Sequence, residues 1–287
     1  MKSFTLGKYV PYDSWLHRLD PRLKILLTIL FMVLVFLPLP TWSMTFLMGG
    51  VLFLINLILL FATHTSLASM FSSLKSMWFM VVFLLIVYIL VPQNITPTLG
   101  VAWNLNGWVV YWDSFAQAGK IILRLLLMLE LTMILTASTK PLDLTFALEW
   151  YMTPLKVIHF PASEIAMIIS IALRFIPTLL EDTMRVMRAQ ESRGVDFSHG
   201  KIWKRVRNLT SLIVPLFASS FMRSEELAYA MEARGYDPRA KRSRYRKSKW
   251  RFADTLCLIL GLAFAAGFIY VVAAKVDFFA LMGVTAL

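Results

Sequence analysis

Ala189-Gln-Glu-Ser-Arg-Gly-Val-Asp196 returns 41 residues later as Ala230-Met-Glu-Ala-Arg-Gly-Tyr-Asp237. Both copies read Ala-x-Glu-x-Arg-Gly-x-Asp, and both close a long amphipathic stretch. Five of eight positions repeat in a chain that is only 16% charged, so chance is a poor explanation. A glycine suits the left-handed residue just past a helix C-terminus. Gly194 and Gly235 therefore predict two matched helix ends. Arg193 and Arg234 fall in the last turns and project beyond the tips.

The rest of the chain is greasy. Of its 287 residues, 58% are hydrophobic, against about 45–50% in a soluble domain. A polytopic membrane protein follows. The single cysteine, Cys257, lies in an apolar run and excludes a disulfide framework. Four scattered histidines lack ligand spacing. Polar residues fill the first twenty positions, which predicts no cleavable signal.

The net charge is +12, and its distribution orients the chain. Residues 138–251 hold 20 of the 29 Lys and Arg, residues 1–24 hold five, and 76–112 hold none. That asymmetry is the positive-inside pattern. A helix needs about 20 apolar residues to cross the hydrocarbon. Five spans are predicted: 22–37, 42–62, 77–91, 115–137 and 253–274. The third extends backwards through an amphipathic turn (Leu67, Met70, Phe71, Leu74). Arg22 and Lys24 are expected to snorkel at the start of the first span. The N-terminus and the 138–251 block then face inwards and the 92–114 loop outwards. Trp103, Trp108, Tyr111 and Trp112 in that loop suit an interfacial aromatic belt.

The basic block is no ordinary loop. Pro141–Met152 reads as a short amphipathic helix ended by Pro154. Ala162–Ser192 reads as a second helix, apolar first and charged later. A third covers about 203–233. Pro177 and Pro215 are expected to bend the two long helices. A lone arginine at a helix C-terminus does no more than complement the macrodipole. The same pattern twice, with a Glu two residues before each Arg and an Asp three after, calls for more. Arginine is a rigid, permanently charged fork suited to interface pairs. Two such tips suit a partner with two equivalent grooves.

Three stretches carry a resemblance: Ser14-Trp-Leu-His-Arg-Leu-Asp-Pro-Arg-Leu-Lys24; Ala172-Leu-Arg-Phe-Ile-Pro177 leading to Arg193-Gly194; and Arg223-Ser-Glu-Glu-Leu-Ala228 leading to Arg234-Gly235. In these the chain resembles the T component of energy-coupling-factor transporters, the ABC-class importers of vitamins and metals. The resemblance covers essentially the whole chain. It implies that Ser192, Arg193, Gly194, Ala233, Arg234 and Gly235 form an ATPase-coupling site. The partners it implies are two ABC ATPase subunits and a membrane S component that captures substrate. The implied organisation is a four-span membrane domain (1–137), a cytoplasmic coupling module (138–251) and a last transmembrane helix (252–287), all-α throughout, in a bacterial cell membrane. ATP and Mg would sit on the partners, because this chain has no phosphate-binding Gly-x-x-x-x-Gly-Lys-Ser/Thr loop and no other catalytic signature.

Other charges have plainer readings. Eight cations within residues 239–251 precede the last span, so topology and anionic lipid account for them better than nucleic acid does. Within the fourth span Lys120 and Arg124 are placed to snorkel. Glu130 lies deeper and is expected to pair with a cation or a neighbouring helix. An ion-coupled secondary transporter is the alternative function, but it wants more midplane groups than Glu130 alone.

Overall fold

The structure is a computed structural model that describes residues 14–39, 41–63, 72, 75, 77–90, 101–105, 108–158, 160–197, 202–237, 240 and 250–274. The helices with described bounds are α1 (Pro21–Phe36), α2 (Trp42–Ala62), α3 (Trp78–Leu90), α4 (Trp112–Ser138), α5 (Pro141–Met152), α6 (Ala162–Ser192), α7 (Ile202–Ala233) and α8 (Phe252–Ala273). Short 3-10 segments, Trp15–Arg18 and Thr153–Ile158, precede α1 and follow α5. The molecule is an all-α polytopic membrane protein, to which the connection before α4 adds one antiparallel strand pair, β1 (Val101–Leu105) with β2 (Trp108–Tyr111). The chain divides into two compact units. One holds α1 to α4 and α8, the other α6 and α7, and the boundary falls within α5.

In the first unit α4 is the central helix, packed against α1, α2 and α3, while α8 lies on α1. Two apolar clusters give the helix directions. Leu16, Leu19 and Leu23 meet Leu60, Met133, Ile134 and Cys257 at one end. Leu34 and Val35 meet Leu52, Leu127, Ala265 and Phe268 at the other. So α1 and α8 run one way and α2 and α4 the other, as alternating spans must. Small residues let the backbones approach. A Cβ on Gly49 would collide with Leu123 of α4, and one on Gly261 with Leu27 of α1.

Among the described residues, four helices are long and apolar enough to cross a membrane: α2, α4, α6 and α8. The first helix, α1, has 16 residues, as many as the predicted span 22–37 and shifted by one position, whereas α3 has 13 and is two residues shorter than the predicted 77–91. Asp20 and Pro21 start α1 sharply, with Asp20 Oδ1 accepting from the Arg22 N–H at 2.9 Å, and Pro38 follows its end. The backward extension through Leu67, Met70, Phe71 and Leu74 lies outside the described residues. α6 qualifies because residues 162–180 hold only Glu164 and Arg174 as charges, although the sequence had assigned it to the basic block.

Lys24 does not snorkel as expected. Lys24 is only 7% exposed, and its Nζ donates to the Ser138 carbonyl at 2.8 Å. Ser138 ends α4, so a lysine at the start of α1 caps another helix's C-terminus. Arg124 returns the arrangement from α4, donating to the carbonyls of Phe36 and Leu37 at the end of α1 (3.4 and 3.3 Å). Each antiparallel helix thus satisfies its neighbour's last carbonyls and complements its negative end. Lys120 lies over the Trp42 ring at 5.7 Å.

Glu130 also departs from expectation. It is fully buried, and neither carboxyl oxygen has a hydrogen-bond partner among the described residues. Asn56 on α2 is likewise buried with both amide atoms unpartnered. Asn56 lies midway between Leu52 and Leu60, and Glu130 between Leu127 and Ile134, so the two polar residues occupy the same level of the parallel α2–α4 pair.

Candidate coupling site at two matched helix ends

α6 runs 31 residues through Pro177 and α7 runs 32 through Pro215, and the two helices pack together. Their C-termini close alike. At the first, the Val195 N–H donates to the Gln190 carbonyl at 3.0 Å and the Gly194 N–H to Glu191 at 2.9 Å. At the second, Tyr236 donates to Met231 at 3.0 Å and Gly235 to Glu232 at 2.9 Å. This is the six-to-one and five-to-two pattern of a Schellman cap, formed twice. The glycines adopt φ +82° and +70°, the left-handed conformation that side chains disfavour. Nothing lies within 4 Å of a Cβ built on either, so conformation and not crowding demands glycine.

The caps fix what the sequence predicted locally. Ser192 and Ala233 are the last helical residues, Arg193 and Arg234 follow, and Gly194 and Gly235 turn the chain. All six are exposed. Ser192 Oγ donates back to the Arg188 carbonyl at 2.9 Å. Beyond the first tip, Asn208 of α7 donates to the Asp196 carbonyl at 2.7 Å and tethers the exit from α6. No side-chain hydrogen bond or ion pair engages Arg193 or Arg234 among the described residues. Each guanidinium thus offers its full donor fork to a carboxylate or to backbone carbonyls.

Comparison with known proteins shows the family. The Cobalt transport protein family (CbiQ) matches residues 12–245. The chain is similar to the "Energy-coupling factor transporter transmembrane protein EcfT" of Listeria innocua, 36% identical over 94% of this chain and 98% of that one. It is 39% identical to the Bacillus subtilis protein of the same name (93% and 97% covered) and 42% identical to that of Heliobacterium modesticaldum (86% and 89%). The chain belongs to this energy-coupling factor transporter family. The resemblance drawn from the three sequence stretches is borne out, and the membrane component of such a transporter takes precedence over the secondary-transporter alternative.

Two features of this energy-coupling factor transporter component escaped the sequence. The first is a buried charged collar built by the Ser14–Lys24 stretch. Asp254 is 1% exposed and accepts from the Asp20 N–H (2.9 Å) through one oxygen and from the Arg251 N–H (2.7 Å) through the other. Lys24 beside it also reaches the His17 carbonyl at 3.4 Å. The collar joins the starts of α1 and α8 to the end of α4. No local pattern could signal it, because Asp20 and Asp254 are 234 residues apart. The second is an ion pair between α6 and α7, for which the 41-residue offset was the available signal.

Proposed function

We propose that the chain is the coupling subunit of an energy-coupling-factor importer in a bacterial cell membrane. Arg193 and Arg234 seat in grooves of two ABC ATPase subunits, and α6 and α7 carry the ATP-driven movement of those subunits to an S component that releases a vitamin or another micronutrient. The observation behind this is the matched pair of exposed arginines, held at two helix ends by the same cap. Neutral packing does not require that coincidence, whereas a partner with two equivalent grooves does. The chain itself is not catalytic and holds no cofactor; ATP and Mg belong to the ATPases, and nucleic acid is no partner. The concentration of Lys and Arg in residues 1–24 and 138–251 supports a cytoplasmic side for both stretches, with the spans of the 1–137 domain and the 252–287 helix in the membrane.

Substituting Arg193→Glu or Arg234→Glu should weaken recovery of the ATPases with this chain in mild detergent, and the double variant should lose it. Such a reversal leaves the partner's groove with an uncompensated charge and costs a few kcal/mol, about 2–5. Normal assembly and normal uptake in the double variant would remove the basis for the proposal.

A further inference from the structure

The 41-residue offset of the octapeptide also relates residues upstream of it. Asp182 plus 41 is Arg223, and these two meet: Arg223 Nη2 donates to Asp182 Oδ2 at 2.9 Å, from α7 to α6. A contact between repeat-equivalent residues is what a pseudo-twofold axis produces, because only residues on the axis face their own counterparts. Like charges there would repel. The chain carries opposite charges at that position, and again one turn on, where Arg185 plus 41 is Glu226.

The pair is partly withdrawn from water, with side chains 18% and 32% exposed. The Arg223 guanidinium also lies 5.9 Å from the centre of the Phe175 ring, which restrains its plane. Arg185 makes a looser contact with Asp182 at 3.9 Å and is mostly in solvent. From Asp182 to Arg193 is 11 residues (193 − 182), and from Arg223 to Arg234 is also 11 (234 − 223). Each arm is about 16 Å long at 1.5 Å per residue. Neither arm contains Pro or Gly, and Pro177 and Pro215 both fall on the far side of the contact. The arms are stiff, equal and free of kinks.

We infer, on the coupling role proposed above, that the Asp182–Arg223 pair is a positioning element: a charged pivot that fixes the spread of the two arginine tips so that both engage their partner together. Asp182 and Arg223 touch no nucleotide or substrate; they act through Arg193 and Arg234.

The test uses the full chain in lipid nanodiscs, with spin labels at Glu191→Cys and Glu232→Cys in a Cys257→Ala background. Both labelled positions are exposed and repeat-equivalent. Pulsed dipolar spectroscopy should give one narrow tip-to-tip distance. Asp182→Asn and Asp182→Arg should broaden or shift it. The exchange Asp182→Arg with Arg223→Asp should recover most of the narrow distribution, since Arg185 is free to swing away. In the assembled transporter, uptake per ATP hydrolysed should fall about tenfold in the single variants and recover in the exchange. An unchanged distance in the single variants overturns the pivot, as does an exchange no better than Asp182→Arg or a shifted distance with normal uptake per ATP. The distance readout needs no ATPase. It therefore separates failure of the pivot from failure of the coupling role, which appears instead as ATPases still bound to the Arg193→Glu/Arg234→Glu variant.

Discussion

The membrane bundle and the pair of long helices α6 and α7 treat the same chemistry in opposite ways. In the bundle, Lys24 and Arg124 turn inward and saturate on the last carbonyls of neighbouring helices. At the ends of α6 and α7, Arg193 and Arg234 sit on self-satisfied caps and keep their donors free. A helix end that closes its own carbonyls has no need of a cation, so a cation placed there twice is available to something else. A buried end that cannot reach water does need one. The contrast separates charges spent within the fold from charges left available to a partner, and it can be tested by substitutions that should fall on one side or the other.

The largest effect belongs to the collar. Asp254→Ala takes the acceptor from the buried Asp20 N–H and the partly buried Arg251 N–H and removes negative charge beside Lys24. We expect a loss of about 2–4 kcal/mol in bundle stability, read as a lower unfolding midpoint in detergent. A loss below about 0.5 kcal/mol, the size of an ordinary surface change, would mean that the collar does not hold the helices. Glu130→Leu should act in the opposite direction. An unpartnered buried carboxyl is unfavourable, and an apolar group of similar size relieves it by about 1–3 kcal/mol. A lower midpoint would instead reveal a partner for the carboxyl.

Gly194→Ala and Gly235→Ala should each cost about 1 kcal/mol, because alanine disfavours the left-handed conformation. The loss should be local and equal at the two tips, seen as faster amide exchange in the last turn of α6 or α7. Unequal effects would break the equivalence of the caps. The smallest effect on stability is expected for Arg193→Glu and Arg234→Glu, within about 0.5 kcal/mol. A clear destabilisation would move these arginines to the structural side of the comparison.

Local chemistry made part of this legible in the sequence. Pro141, Pro154 and the Arg-Gly ends punctuate helices within a few residues, so α5 and α6 fall on their predicted bounds and both glycines take their predicted conformation. Long-range contacts were not legible. Lys24 reads as a snorkelling residue until Ser138, 114 positions away, is brought beside it. Glu130 reads as half of a pair because an isolated buried acid is rare, and no pattern announces that its carboxyl is buried without a hydrogen-bond partner among the described residues. The strand pair before α4 stood hidden in a segment read for its aromatic residues and missing cations. The Asp182–Arg223 pair was visible only as two charges until the repeat offset was extended beyond the octapeptide.

The central claim is that the two arginine tips contact ATPase subunits. It is tested most directly by cross-linking from Ser192→Cys and Ala233→Cys in native membranes, each residue immediately preceding its arginine. The account predicts that both positions form adducts with ATP-binding subunits, that nucleotide changes the yield at both together, and that an impermeant thiol reagent applied from outside the cell reaches neither. Adducts with lipid alone, or labelling from the outer face, would contradict it.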